Sequence, residues 1–366
     1  MSEYQHYQFL AADRPLTDEQ LTEIRKLTTR AALTRTTFLN TYQWGDFKGD
    51  CDQLMERYYD GHLYFANWGY RRIILRWPAQ QLPLSVAERY CSGESAEARQ
   101  HGKHVLITLV SDDEDCELDD FNDLFDFSDY GQDSGREEEW LPTIARARPD
   151  VAAGDLRLLY LAWLLCLGNG DLNEDEVEPP LPAGLAALPE PLVDLATFLR
   201  IDPDLISAAA ALSPPPSPHY NNDQHTVADL RRRFSLEHPD TAPVEARRTV
   251  AQLKAAALAS TAQRLTREER ERADHEEAQR QLAEAAQRAR IDVIEGDPEA
   301  AWKRVHEMIA HQRGRNYPAA VQLLEDLAVL AGRNGSTEAF TARYRALRKQ
   351  HPTKRALLRL LDAAKL

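Results

Sequence analysis

An α+β fold, with a small N-terminal mixed α/β sheet domain followed by a mostly α-helical region, is predicted by three stretches of this sequence. Residues before about 110 hold several short β-prone runs with period-two alternation. Residues 244–291 contain neither Gly nor Pro and are rich in Ala, Gln, Glu, Arg and Leu, which predicts one long helix. Leu156 to Leu167 carries a single charge, Arg157, which predicts a buried core helix. A chain of 366 residues allows two or three domains at about 150 residues each.

In the N-terminal part, Tyr7 and Phe9 alternate with His6 and Gln8, a strand signal. Asp13-Arg14-Pro15 turns the chain, and Thr17 with Gln20 has the spacing of a capping box for a helix carrying Leu21, Ile24, Leu27 and Ala31. Thr36, Phe38, Asn40, Tyr42 and Trp44 share one parity and predict a second strand. Gly45 and Gly49 bracket a turn. Asp50 then caps a predicted helix carrying Leu54, Tyr58, His62 and Phe65, ended by Asn67-Trp68-Gly69. Residues 71–77 and 104–110 read as a third and a fourth strand. The order β-α-β-α-β-β predicts a small sheet covered by two helices and allows a ferredoxin-like split, with no clear hairpin to fix the topology.

Charge is distributed unevenly. Of the net −15, residues 111–140 hold fourteen acids against the single base Arg136, with Phe121, Leu124, Phe125, Phe127 and Tyr130 interleaved. That composition reads as an acidic hinge, an interaction segment or a mimic of nucleic-acid charge. Residues 341–366 are the opposite, eight bases against Asp362. Leu192 to Leu199 predicts a short helix, and Asp202 with Pro203 opens another through Ala211. Ser213-Pro214-Pro215-Pro216-Ser217-Pro218 is a stiff linker. Six segments follow: an α+β domain over 1–110, the acidic hinge over 111–140, a helical domain over 141–212, a Pro-rich linker over 213–242, the long helix over 243–296, and a helical tail over 297–366.

The long helix opens at Pro243 and stops at Gly296 and Pro298. Its apolar stripe of Val250, Leu253, Ala257, Leu258 and Leu265 gives way to a charged stretch from Arg267, and resumes at Leu282, Ala286 and Ile291. This predicts a spacer packed at both ends and wet in the middle; a coiled-coil partner is the sharper alternative.

In the tail, Trp302, Val305 and Ile309 mark one helix, Tyr317 to Leu330 a second, Phe340, Tyr344 and Leu347 a third, and Leu357, Leu358 and Leu361 a fourth. Leu324, Leu327, Ala328, Tyr344 and Pro352 sit where one tetratricopeptide unit has its apolar, small, aromatic and proline positions, while Ala331 and Phe340 depart from it. The tail thus resembles a TPR-like unit, and also the C-terminal helical tails of bacterial SWIM-type zinc-finger proteins, without their zinc motif. That resemblance implies a docking tail that holds no metal. Glu3-Tyr4, Asp13-Arg14-Pro15-Leu16-Thr17, Trp44 to Asp50, Leu54-Met55-Glu56-Arg57-Tyr58 and Ala66-Asn67-Trp68-Gly69 make the first third resemble a family of uncharacterised bacterial proteins. The resemblance implies a bacterial, cytoplasmic origin.

Several chemistries lose their signatures. Cys51, Cys91, Cys116 and Cys166 are scattered, with no C-x-x-C. His306 and His311 are five apart, so they do not stack one turn apart as a zincin requires. His219, Asp223 and His225 are too few for a structural metal site. Asp171, Asn173 and Asp175 lack the Gly and Glu of an EF-hand loop. No phosphate-binding glycine loop or nucleophile elbow occurs. No apolar run of 18 residues is present, which predicts no membrane partner.

The expected function is a non-catalytic interaction or adaptor component of a cytoplasmic complex, with no cofactor. The expected partner is another protein held through the C-terminal helices, with nucleic acid as an alternative. Candidate partner-binding residues are Trp44, Asp46, Phe47, Lys48, Asn67 and Trp68 in two glycine turns, and Arg343, Tyr344, Arg348, Arg355 and Arg359 in the tail. An enzyme with its site around Asp46, Lys48 and Asn67 is the competing expectation, as is a nucleic-acid-associated protein of a stress or antiviral system.

Overall fold

In the computed structural model, residues 4–28, 30–113, 140–215, 247–310 and 316–364 are described. The acidic hinge and the Pro-rich linker, with His219, Asp223, His225 and His311, lie almost entirely outside them. The described chain forms two units, Met1–Arg264 and Leu265–Leu366.

At the centre of the first unit is a seven-stranded sheet. Its strands are β1 (Gln5–Leu10), β2 (Ala32–Leu33), β3 (Thr37–Tyr42), β4 (Gly61–Ala66), β5 (Arg71–Pro78), β6 (Ala96–His101) and β7 (His104–Ser111), in the order β2-β3-β1-β4-β5-β7-β6. Every pairing is antiparallel. β3 and β4, joined through α2, run in the same direction with β1 inserted between them, which is a split β-α-β crossover within a sheet longer than the ferredoxin-like one. Two hairpins build much of the sheet, β4–β5 through Asn67-Trp68-Gly69-Tyr70 and β6–β7 through Gly102-Lys103.

Three sequence expectations change here. The first helix, α1 (Asp18–Arg25), has the expected capping box but ends before Leu27; the Arg25 guanidinium then donates to the Ala31 carbonyl at 3.0 Å and ties down the following loop. The helix expected to run from Asp50 through Phe65 is only α2 (Cys51–Arg57). Beyond it, the Asp60 N–H donates to the Leu10 carbonyl and the Arg76 N–H to the Asp60 carbonyl, so sheet pairing captures His62 and Phe65. Their helical spacing from Leu54 and Tyr58 is incidental. The long helix, α9 by its place in the chain, covers Val250–Gly296 instead of starting at Pro243. Val177 and Thr249 form a β-bridge just before it, and the Thr249 hydroxyl accepts from the Gln252 N–H as a cap.

Both faces of the sheet are buried. Tyr7, Phe9, Phe38, Ile74 and Leu106 face α1 and α2. Leu63, Phe65, Ile73, Leu75, Val105, Ile107 and Leu109 face a helical layer. A short helix, α3 (Leu84–Ala87), precedes β6. The layer itself comprises α4 (Trp140–Ala145), α5 (Arg148–Ala152), α6 (Arg157–Asn169), α7 (Glu190–Phe198) and α8 (Pro203–Ala210). Residues 158–167 of α6 are all buried. A helix apolar on every side needs cover all round, so 141–212 shares one core with the sheet and with Val250, Leu253 and Ala257 of α9, and has no separate core of its own. Glu178 seats the start of α9, accepting two bonds of 2.8 Å from Arg248 and one from the Tyr160 hydroxyl. Among the described residues no single helix is long and apolar enough to cross a membrane. The apolar pair Trp140–Ala152 and Arg157–Asn169 is bent by 115° and lies in the core.

The second unit joins the C-terminal part of α9 to α10 (Pro298–Ala310), α11 (Tyr317–Arg333), α12 (Thr337–Gln350) and α13 (Arg355–Ala363). All four tail helices were expected. Helix α11 packs against the other three, with Ala320, Val321, Leu324, Leu327 and Leu330 buried. Ile291 and Ile294 bring α9 into this core, and Arg290 donates to the buried Asp326 at 2.7 and 3.3 Å.

The sheet also buries two imidazoles. His6 stacks on Phe65 at 4.9 Å, and His62 on Phe9 at 4.1 Å, with His62 Nδ1 donating to the Gln8 carbonyl at 2.9 Å. Burial pushes His6 down to about 4 and His62 down to about 3. Both are therefore neutral in the fold, while the unfolded chain protonates them below about 6.5. The unfolded state binds more protons in that window, so their contribution to stability is complete above pH 6.5 and is lost as pH falls. Urea unfolding is expected to show a loss of about 2 kcal/mol per histidine between pH 6.5 and 5. His62→Gln should flatten that slope.

Candidate functional site

Strand order puts two of the predicted turns side by side. Strands β3 and β4 flank β1 and both run antiparallel to it, so they run in the same direction and end at the same edge of the sheet. Gln5 pairs with Tyr42 on one side and Ala66 on the other. Trp44 and Trp68 each lie two residues beyond those partners. At roughly 4.8 Å per strand, the turns leave the sheet about 10 Å apart. Trp44 is 73% exposed and Trp68 is 45% exposed.

Buried contacts hold both turns. The Gln5 amide nitrogen donates to the Gly45 carbonyl at 3.3 Å and to Asp46 Oδ1 at 3.0 Å. Its carbonyl oxygen accepts from the Tyr7 hydroxyl at 2.7 Å and the Tyr64 hydroxyl at 3.1 Å. Phe47 is buried against Tyr7, Phe9 and Phe38, and its ring occupies the space above Gly49, where an added Cβ would stand 2.3 Å from it. Asp50 accepts from the Gln53 N–H as the cap of α2. Across the strand end, Asn67 Oδ1 accepts from the Tyr4 N–H at 3.0 Å, and the Asn67 N–H donates to the Tyr4 carbonyl. The helical layer reaches the same turn, because Arg200, following α7 in a left-handed conformation (φ 56°), donates to the Gly69 carbonyl at 2.8 Å.

A row of tyrosines lies beside these turns on the α1/α2 face. Tyr42, Tyr7, Tyr64 and Tyr70 follow one another at centroid distances of 5.8, 4.6 and 5.7 Å. Burial pushes the Tyr7 phenol up to about 12 and raises Tyr64 and Tyr70, so all three stay protonated. Cys51 sits next to this row, and burial pushes its thiol up to about 11. It is therefore not a thiolate nucleophile at neutral pH. Beyond Cys51, Arg72 donates to Asp52 at 2.6 Å and Arg99 to Glu56 at 2.9 Å. Gln5, Tyr64, Tyr70 and Arg200 are not singled out by the sequence. Tyr7 and Tyr42 fall on predicted strands, and strand alternation is the hint the sequence offers to the row.

The structure thus brings Trp44, Asp46, Phe47, Lys48, Asn67 and Trp68 to one end of the sheet, in different roles. Trp44, Lys48 and Trp68 face solvent, Asp46 is held by Gln5, Asn67 by Tyr4, and Phe47 is core. The tail candidates divide as well. Arg343 makes a bidentate pair with Glu299 at 2.5 and 2.9 Å and lies 4.6 Å over the Trp302 ring. Tyr344 is buried, and its oxygen accepts from Arg348, which also pairs with Asp362 at 2.5 Å. These three side chains hold helices together. Arg355 and Arg359 are exposed on α13.

Among the described residues no group of three or more His, Cys, Asp or Glu is placed to hold a metal ion. Comparison with known protein families, with curated proteins and with solved structures finds no match.

Two substitutions separate scaffold from surface. Gln5→Leu strands the Tyr7 and Tyr64 hydroxyls and frees the 45–46 turn, and should lower unfolding stability by about 1–3 kcal/mol. Trp44→Ala removes a solvent-facing ring and should change it by less than about 0.5 kcal/mol. Chemical denaturation of both variants checks the pair.

Proposed function

We propose that this protein is a non-catalytic interaction component of a bacterial cytoplasmic complex, and that a partner protein docks on the Trp44–Trp68 end of the sheet. The observation that supports this reading is the exposure of two large indoles on turns whose backbones are fixed from inside. Tryptophan dominates binding hot spots because it buries a large area at small rotamer cost. A turn already ordered by Gln5, Asn67 and Arg200 loses little entropy on docking. Lys48 and Asp46 supply charges at the rim of the same surface, where they set orientation more than affinity.

The C-terminal helices are the second docking element in this reading. With Arg343 and Arg348 engaged internally, Arg345, Lys349, Arg355 and Arg359 are exposed bases on the last two helices. Resemblance of the tail to TPR-like tails, and of the first third to a bacterial family, agrees with a place in a larger assembly.

A pull-down from the native host, with a tag at the N-terminus, tests the proposal when protein and nucleic acid are both quantified. One stoichiometric protein is expected. Trp44→Ala with Trp68→Ala should weaken its binding by about thirtyfold or more, taking about 2 kcal/mol as the size of a hot spot, with no change in melting temperature. Retention of every partner by the double variant would overturn the sheet-end assignment. Nucleic acid that is released steeply with salt and lost on Arg355→Glu with Arg359→Glu would replace the protein partner by a polyanion.

A further inference from the structure

The first unit contains a cavity of about 330 Å³ whose lining includes none of the tryptophan-turn residues. The last turns of α6, the segment from Arg200 to Leu205 and the first turns of α9 surround it, and every lining residue falls within Met1–Arg264. Leu164, Leu167 and Leu205 line it and are buried, whereas Leu258 lines it and is 71% exposed, an apolar side chain left to solvent at its rim. Gly168 helps to keep the space open, since an added Cβ would meet only Leu205 Cδ1, at 3.6 Å.

Some polar groups around the cavity are already engaged. Arg200 donates to the Gly69 carbonyl, and the Thr261 hydroxyl donates to Asp204. Three others are not. Within the described residues, the half-buried Lys254 makes no hydrogen bond or ion pair through its ammonium. Asp202 spends Oδ1 on the Asp204 N–H as the cap of α8, and Asn169 spends its amide nitrogen on the Ser95 hydroxyl. Asp202 Oδ2 and Asn169 Oδ1 are left without a partner among the same residues. One cation and two acceptors thus border a single apolar hollow.

We propose that this cavity binds a free α-amino acid with an apolar side chain. The carboxylate pairs with Lys254, the ammonium is held by Asp202 and Asn169, and the side chain lies on the leucines and covers Leu258. Charge complementarity selects this class. A fatty carboxylate satisfies Lys254 but sets its own charge beside Asp202, and a simple amine sets its charge beside Lys254. Like charges brought together in this way are disfavoured. A head that carries both charges meets both sides of the rim. The volume agrees, because about 330 Å³ is the small end of the range for ligand pockets, roughly 300–1,000 Å³.

Calorimetric titration of the full chain with L-leucine, L-valine and L-phenylalanine in turn tests this. At least one is expected to bind once per chain with a Kd below about 1 mM. The deamino and decarboxy analogues of the tightest of them, 4-methylpentanoate and 3-methylbutylamine in the case of leucine, should bind at least about tenfold more weakly. Lys254→Gln and Asp202→Asn should each weaken the amino acid by at least about tenfold. Neither should lower the melting temperature, because Asn still caps α8. Gly168→Met grows into the cavity and should abolish binding. No binding of any of the three amino acids, equal binding of either analogue, or an affinity indifferent to Lys254→Gln or to Gly168→Met would overturn the proposal.

Discussion

Four charged side chains and one indole fasten the sheet of the first unit to its helical layer. Arg148 of α5 makes a bidentate pair with Asp13 at 2.8 and 3.0 Å and donates to the Arg76 carbonyl at 2.6 and 2.9 Å. Arg76 of β5 pairs with Asp60 at 2.6 Å and caps the end of α2 through the Met55 carbonyl. Trp77 returns a bond to the Arg148 carbonyl at 3.0 Å. Arg148, Arg76 and Asp60 are all nearly excluded from water. A buried charge is tolerable only while paired and hydrogen-bonded, and removing one partner from such a set costs about 3–5 kcal/mol. The loop after β1, the start of β4, the middle of the sheet and α5 must therefore arrive together. Hydrogen bonding from Arg148 holds the Asp13 carboxyl below its usual range, so the pair stays ionised at neutral pH.

The same constraint explains the candidate site. Because β1 is an interior strand and both sheet faces are covered, a polar side chain on it has to find its partners within the protein. Gln5 does so by tying the 45–46 turn to two tyrosines, and the Tyr4 backbone does so through Asn67. The interior bonding that satisfies a buried amide also fixes the loops outside it. Trp44 and Trp68 are consequently exposed side chains on an ordered backbone. That combination differs from a loose surface loop, where an aromatic residue would fold back onto apolar cover.

Much of this architecture was legible in the residues. Strands β1, β3, β5 and β7 announced themselves by alternation or β-branched content, and Thr17, Asp50 and Asp202 each cap the helix their spacing predicted. The failures are physical. Strand β6, Ala-Glu-Ala-Arg-Gln-His, consists mainly of good helix formers and becomes a strand because β7 pairs with it along its length. Strand β4 was masked because Leu54, Tyr58, His62 and Phe65 mimic a helical stripe across a break at Asp60-Gly61. The turns of the site were visible as glycine and aromatic clusters, but their adjacency depends on β1 lying between β3 and β4, a long-range pairing that no local pattern encodes.

The tail shows why an excess of charge is a poor guide to a binding face. Residues 341–366 are strongly basic, yet Arg343 and Arg348 are engaged by Glu299 and Asp362, and each lies close to an aromatic ring, Trp302 or Tyr344. Lys354 is drawn inward in the same way, over Tyr317 and onto the Ile309 carbonyl. These side chains fasten α10, α12 and α13 around α11 and are satisfied before any partner arrives. At the sheet end the order is reversed, since the polar groups are satisfied inside and the apolar rings are left outside. An interface gains most of its free energy from desolvating apolar surface and little from exposed ion pairs. The tryptophan turns are therefore the stronger candidate for specific contact, and the arginines of the tail mainly build the helical unit that carries them.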